Sequence, residues 1–567
     1  MDIKRYLLIA ASAVLVVMLL SEWTAFKTER ATDIPRERIA DVDLKALSLG
    51  EQATNTSVSG LPAADVALGE DIPNVNLVAN DSAVIVEDTH HNHVRVLTDT
   101  LDVVIDLDGG DIVELALRKF PDAIDAPDIP FMLLEQNTTR TYIAQSGLVG
   151  PNGIDNGARA RYQASAQEYQ QKPGEPLQVD LQWIGDGSGV RVSKQFTFSP
   201  DSYIVDINYQ VRNNSQKTWQ AVPFAQLKRD NSAAPNADNS GFGLQPFLGA
   251  ALTQPDERFT KFTFADIADE PFKKTLPGGW IAMMQHYFVS AWIPNPDQSH
   301  NYSTRHTSSG FNIVGFTSPA VTVNPGESAR FGAKIYAGPK DQYSLAEISP
   351  HLDLTVDYGW LWWIAQPLFW LLTQIQSVVQ NWGVAIILLT VLVKGAFFRL
   401  SAASYRSMAK MRKVQPKMQN IREQYGDDKQ KQSQAMMELY KKEKINPMGG
   451  CLPILIQMPV FISLYWVLME SVELRQAPFA LWINDLSVMD PYFVLPLMMG
   501  ASMFFMQKLN PPPPDPMQAK IMQWLPVMFT FFFLWFPAGL VLYWVCNNLL
   551  SMTQQWVITR RIEAEGN

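Results

Sequence analysis

The feature that most constrains this chain is a lysine set inside an apolar run. Residues 382–400 are apolar from end to end except for Thr390, Lys394 and Arg399. Further apolar stretches follow at 451–469, 492–506 and 521–558. A hydrocarbon core of about 30 Å is crossed by roughly 20 helical residues. The last stretch is therefore too long for one crossing, and Phe536-Pro-Ala-Gly539 divides it in two. Lipid leaves no backbone polar group satisfied from outside, so runs of this kind fold as helices. The C-terminal third is expected to be an α-helical polytopic membrane bundle.

Charge separates this part from the rest. Up to Pro350 there are 28 Lys+Arg against 42 Asp+Glu; from His351 onward there are 18 against 14. An acidic segment joined to a mildly basic, apolar one implies a water-facing domain followed by a membrane domain. The segment 401–447 between apolar runs carries eleven basic and five acidic residues, and the tail carries Arg560-Arg561. Both are expected on the cytoplasmic side by the positive-inside rule. That requires an even number of crossings between them, and the split of 521–558 supplies it.

At the N-terminus Lys4-Arg5 precedes an apolar run at 6–20. A cleaved signal peptide has this layout, but the Ser21-Glu-Trp-Thr-Ala-Phe sequence after the run is a poor cleavage site. Residues 1–26 are read as an uncleaved signal anchor with a cytoplasmic N-terminus. The total is then six spans, five of them forming the core. Residues 27–80, rich in Asp, Glu, Ala, Ser and Asn, are expected to be a flexible linker. From 81 to 345 the texture becomes short alternating runs punctuated by Gly, Pro and Asn. Val190 to Phe198, Pro200-Asp201, then Tyr203 to Val211 reads as a hairpin with Val205, Ile207, Tyr209 and Val211 on one face. The runs 94–104 and 329–336 behave similarly. A large all-β sandwich is expected. Residues 350–378 mix Trp360, Trp362, Trp363 and Trp370 with Asp353, Asp357 and Gln374, which suits an amphipathic helix lying in the interface. The core occupies 379–560, with an amphipathic segment at 473–490 and a tail at 561–567.

Several chemistries are excluded or unsupported. No Gly-Lys dipeptide occurs, so there is no Walker A loop and no nucleotide partner of that kind. All seven histidines lie at or before His351, which leaves the bundle without a Ser–His dyad. The two cysteines, Cys451 and Cys546, have no zinc spacing. His90, His91 and His93 read as an incidental exposed cluster. No metal, no cofactor and no enzymatic activity is expected.

What remains is the membrane lysine. Two readings stand on the residues alone. Lys394 either snorkels toward the headgroups near Arg399, about 7 Å away along the helix, or serves a function that justifies about 2.5–3.5 kcal/mol of insertion cost at the bilayer centre. Thr390 lies one turn earlier on the same face. Gln457, Tyr543, Asn547 and Asn548 place polar groups on other spans, and such groups converge on one another or on a hydrated cavity. The basic segment 401–447 reads as a helical hairpin broken near Gly426-Asp-Asp428. Met408, Met411, Val414, Met418 and Ile421 form a stripe, either the seam of the hairpin or an adaptable apolar surface.

Ordered motifs carry a resemblance. Asn446-Pro-Met-Gly-Gly-Cys-Leu-Pro-Ile-Leu-Ile-Gln-Met-Pro-Val-Phe461, the stretch from Ser404 to Lys417, and Phe536-Pro-Ala-Gly-Leu-Val-Leu-Tyr543 together resemble the YidC family of membrane protein insertases. The resemblance to the insertase core covers about 380–558, and the anchor with a large β-domain resembles the Gram-negative branch. It implies a hydrophilic inner-leaflet groove open to the cytoplasm, with a positive residue at its centre. Lys394 occupies that position, where the family more often has arginine; lysine keeps the charge but lacks the bidentate fork. Thr390 and Tyr543 align with groove-lining positions, Trp544 follows on a neighbouring face, and Gln457 and Asn547 complete the expected groove. Met408, Met411 and Met418 are the expected substrate-contacting residues of the hairpin. The implied location is the bacterial inner membrane, with both termini cytoplasmic and the β-domain periplasmic. The implied partners are nascent membrane proteins, the lipid bilayer and the Sec translocon, with the ribosome a weaker candidate because the tail is short and ends acidic. A small-solute or ion transporter is the rival class, although the spans show no internal repeat.

Overall fold

The computed structural model describes residues 71–73, 93–235, 246–426, 428–443, 452–509 and 516–565. The expected anchor at 1–26, most of the linker at 27–80, His90, His91 and Cys451 lie outside these residues.

Alternation of apolar and polar side chains builds the β-domain. Strand Val190–Phe198 pairs antiparallel with Ile204–Asn213, Val205 opposite Phe198 and Val211 opposite Val192. Val205, Ile207, Tyr209 and Val211 are all buried, as the period of two predicts. Asp201 adopts φ +51° in the connecting turn, a conformation that Asp tolerates better than most residues. Val94 and Val96 on His93–Leu97 face the same interior as Val103 and Ile105 on Leu101–Asp106. The strands assemble into an eleven-stranded and a nine-stranded sheet. One apolar core lies between them, so the domain is the expected sandwich.

The nine-stranded sheet is covered on its second face too. On Ile281–Met284 and Phe288–Ile293 every residue is buried. Ile281, Met283, Phe288 and Trp292 point into the sandwich core. Ala282, Met284, Val289, Ala291 and Ile293 point into a second core, shared with the helices. Strands buried on both faces carry continuous apolar runs rather than alternation.

The helices follow in order. The short α1 (Phe264–Asp269) and α2 (Gln342–Ile348) belong to the β-domain and its exit. Residues 350–361 form two 3-10 turns before α3 (Trp362–Val379), which buries Ala365, Phe369 and Leu372 and exposes Trp362, Trp363 and Trp370. Next come α4 (Trp382–Ala396), α5 (Phe398–Tyr425), α6 (Lys429–Lys442), α7 (Leu452–Glu470), α8 (Val494–Leu509), α9 (Pro516–Phe532) and α10 (Ala538–Glu565). One sequence expectation needs correction. The run 382–400 is not one straight helix: α4 ends at Ala396, and α5 departs at 66°. The amphipathic segment 473–490 is one 3-10 turn, Val472–Leu474, and an ordered loop. Asp490 organises that loop, accepting from Trp482 Nε1 at 2.9 Å and from the Leu495 amide at 2.7 Å. Among the described residues, no single helix is long and apolar enough to cross a membrane; the bent pair 382–408 passes only as a pair.

β-Domain and bundle meet through charge as well as apolar packing. Lys340 Nζ lies 2.6 Å from Glu470 Oε2 at the end of α7, with both side chains at most 3% exposed. His286 Nε2 donates to the Met469 carbonyl at 2.8 Å. Arg475 donates to the carbonyls of Pro121 and Asp122, at 2.7 and 2.9 Å. Trp280 Nε1 donates to the Pro350 carbonyl at 3.1 Å.

Candidate functional site

Lys394 ends α4. Asn381 caps the other end, its side-chain oxygen accepting from the Val384 amide at 3.0 Å while its Nδ2 holds the Phe479 carbonyl at 2.9 Å. This fixes where the helix starts and, thirteen residues later, where Lys394 stands. A cation in the last turn also complements the helix dipole. The 66° bend after Ala396 turns the chain away, so the Lys394 side chain is directed inward among helices. It is 5% exposed.

Three helices meet at its ammonium. Nζ donates to Gln457 Oε1 of α7 at 3.1 Å and to Ser551 Oγ of α10 at 2.8 Å. Ser551 Oγ in turn donates to the Asn547 carbonyl at 2.7 Å. Among the described residues no carboxylate comes within ion-pairing range of Nζ. An ammonium carries three donors, and here neutral oxygens take two. A buried charge balanced only by neutral dipoles is an expensive arrangement that an incoming carboxylate relieves.

The other expected residues take different positions. Thr390 is 1% exposed and its hydroxyl donates to the Ile386 carbonyl one turn back at 2.6 Å, so it lines α4 without bonding Lys394. Tyr543 is buried and stacks on Phe461 at 6.1 Å. Trp544 stands edge-on to Phe461 at 4.5 Å and packs on Phe529 and Phe533, and its buried Nε1 has no hydrogen-bond partner among the described residues. Asn547 is half-buried, one turn before Ser551. Asn548 works elsewhere: its Nδ2 donates to Ser502 Oγ of α8 at 2.9 Å, tying two helices.

Ser551 is the residue that the sequence reading missed. It continues a stripe, Tyr543, Asn547, Ser551 and Gln555, at four-residue spacing on α10, and extending the i, i+4 search one turn past Asn547 finds it. The hairpin methionines divide. Met411 and Met418 pack with Val414, Met436, Leu439 and Tyr440 in the seam between α5 and α6. Met408 is half-buried and outside that cluster. Lys417 and Glu443, 2.7 Å apart, add an ion pair to the hairpin.

Two family models match consecutive parts of the chain: the YidC periplasmic domain over 93–371 and the 60Kd inner membrane protein over 374–565. The chain belongs to the YidC family of membrane protein insertases. Its relatives include the proteins called "Membrane protein insertase YidC" of Pseudomonas fluorescens (strain SBW25) and Stutzerimonas stutzeri (strain A1501), each 51% identical over 100% of this chain and 99% of the relative. Among solved structures, an active YidC insertase with its first transmembrane domain resolved aligns over 82% of this chain and 92% of its own, at 17% identity and a TM-score of 0.36.

Proposed function

We propose that the chain inserts hydrophobic segments of nascent proteins into the inner membrane without covalent chemistry, working through a hydrated groove centred on Lys394. Thr390, Gln457, Tyr543, Trp544, Asn547 and Ser551 line it. The polar flank of a client enters from the cytoplasm, where the ammonium attracts its acidic residues; two charges 4 Å apart interact by about 4 kcal/mol at an effective dielectric near 20. The apolar segment then partitions into lipid at roughly 0.8 kcal/mol per buried CH₂. The observation that carries this reading is the ammonium itself, buried among three helices with, among the described residues, neutral oxygens alone as partners.

Helix length supports it. α4 has 15 residues and α8 has 16, about 22–24 Å at 1.5 Å per residue, against a hydrocarbon core of about 30 Å. Short helices are accommodated by local thinning of the bilayer, which shortens the path a polar flank travels without water. The proposed topology has six spans, counting the anchor at 1–26, with both termini cytoplasmic and the β-domain periplasmic. The basic hairpin between α4 and α7 and the exposed tryptophans of α3 fit that orientation. Met408, Met411 and Met418 would meet clients after the hairpin opens. The chain acts alone or beside the Sec translocon.

The test replaces Lys394 with Arg, Ala or Glu and measures insertion of a short acidic-flanked client into proteoliposomes. Arg is expected to retain most activity, Ala to lose most of it, and Glu to lose more than Ala. Parental activity in both Ala and Glu variants refutes the groove.

A further inference from the structure

The face of the eleven-stranded sheet that points away from the sandwich core carries a built polar site. On Trp219–Arg229, Ala225 and Leu227 enter the core, so Gln226 and Lys228 lie on the opposite face. They are nevertheless buried, at 2% and 9% exposure. Arg305, from the strand Ser299–His306, stands beside them, its Nη2 2.8 Å from Gln226 Oε1. The amide of Gln226 is oriented by a relay: its Nε2 donates to Gln145 Oε1 at 2.9 Å, and Gln145 Nε2 donates to Asp111 Oδ2 at 3.0 Å. Lys228 Nζ also sits 4.3 Å from the centre of the Phe311 ring.

One residue from far upstream fills the site. Lys228 Nζ is 2.7 Å from the Asp71 carboxylate, while Gln226 Nε2 and Arg305 Nη2 donate to the Asp71 carbonyl at 2.6 and 3.1 Å. Asp71 is the partner of Lys228 in an ion pair and the acid facing Arg305, whose guanidinium burial holds down to about 10. The site thus reads two features at once, an acidic side chain and a main-chain carbonyl with no strand partner. The surrounding sequence matches it. Between residues 46 and 94 there is no Lys or Arg, while Glu51, Asp65, Glu70, Asp71, Asp81, Glu87 and Asp88 supply negative charge. An all-acidic stretch meets a two-cation pocket, and charge-assisted hydrogen bonds of this kind are the strong ones.

We infer that Gln226, Lys228 and Arg305 form a receptor for an acidic peptide, and that its resident ligand is the chain's own segment at Asp71. The segment that the sequence alone reads as free linker is then strapped to the sheet at a defined point, ahead of the first strand. The Glu70–Asp71 bond provides the assay, because a glutamate-specific protease cleaves it only when the strap is off. In the full-length protein in detergent, Lys228→Met and Gln226→Leu/Lys228→Met leave the cleaved sequence unaltered. Cleavage after Glu70, followed by mass spectrometry, is expected to quicken at least about tenfold in both, as the open population rises with loss of a charge-assisted bond. Unchanged cleavage overturns the strap. A second measurement does not depend on those variants folding. Full-length Asp71→Ala protein is titrated with a labelled peptide covering residues 64–78, and with the same peptide carrying Asp71→Asn. Binding of the acidic peptide at least about tenfold tighter than its Asn form supports the receptor. Equal binding of the two, or none of either, overturns it.

Discussion

Breaking the buried ion pair at the joint is expected to cost more stability than any surface charge change in the protein. Lys340 leaves the last strand of the sandwich, and its amide is fixed to the Tyr287 carbonyl at 2.8 Å. Its ammonium meets Glu470 at 2.6 Å, with side chains 2% and 3% exposed. Neither charge reaches water, so removing one strands the other. Such losses run to about 3–5 kcal/mol, whereas replacing a buried pair with apolar residues of similar volume is often neutral. We therefore expect Glu470→Ala and Lys340→Met each to destabilise the protein by ~3–5 kcal/mol, and Lys340→Met/Glu470→Leu to fall less than either. For a cooperative unit the size of the sandwich, at about 2 °C per kcal/mol, the single variants lose ~6–10 °C. Thermal unfolding of the detergent-solubilised protein, followed by tryptophan fluorescence, reads these shifts directly. A double-mutant cycle then gives the coupling. Single variants that cost less than about 1 kcal/mol, or a double variant that costs the sum, would show that the pair is hydrated and the joint open.

The same joint carries a pH dependence. His286 is held down to about 3 by burial, then by the nearby positive charge of Lys340, with the Met469 carbonyl opposing. Its folded value lies below the ordinary 6.5, so the unfolded chain binds the extra proton and stability falls as pH drops below 6.5. The loss between pH 6.5 and 5 is about 2 kcal/mol at 1.36 kcal/mol per unit, read as urea midpoints, and His286→Gln should flatten it. Ser551→Ala removes one of the two acceptors of Lys394 and should lower client insertion less than Lys394→Ala, with Gln457→Ala/Ser551→Ala intermediate or equal to it; parental activity in the double variant would count against the three-helix site. Gly383 faces the Phe479 ring so closely that an added Cβ has no room. Gly383→Ala should cost about 1–3 kcal/mol, measured by the same thermal assay, and no loss would mean the 471–493 loop moves freely from α4.

Local periodicity determined much of this molecule. The alternation through Val205, Ile207, Tyr209 and Val211 is itself the statement that one face of a strand is buried, so the hairpin was legible residue by residue. The charge break near Pro350, the turn at Gly426 and the division at Phe536-Pro537 are likewise local. Lys394 was legible for the same reason, since a charge in an apolar run needs no partner to be noticed. Tertiary structure decided everything that depends on a second surface. Ile281–Met284 and Phe288–Ile293 lost their alternation because helices cover the face that water would otherwise wet. Met411 and Met418 became seam because α6 arrives to bury them. The company of Lys394 was settled by two further helices converging from 63 and 157 residues away, a convergence that no spacing along one helix encodes. Asp71 is the clearest case. Nothing in its neighbours distinguishes it from the rest of an acidic linker; a cationic pocket assembled from strands more than 150 residues later gives it a place.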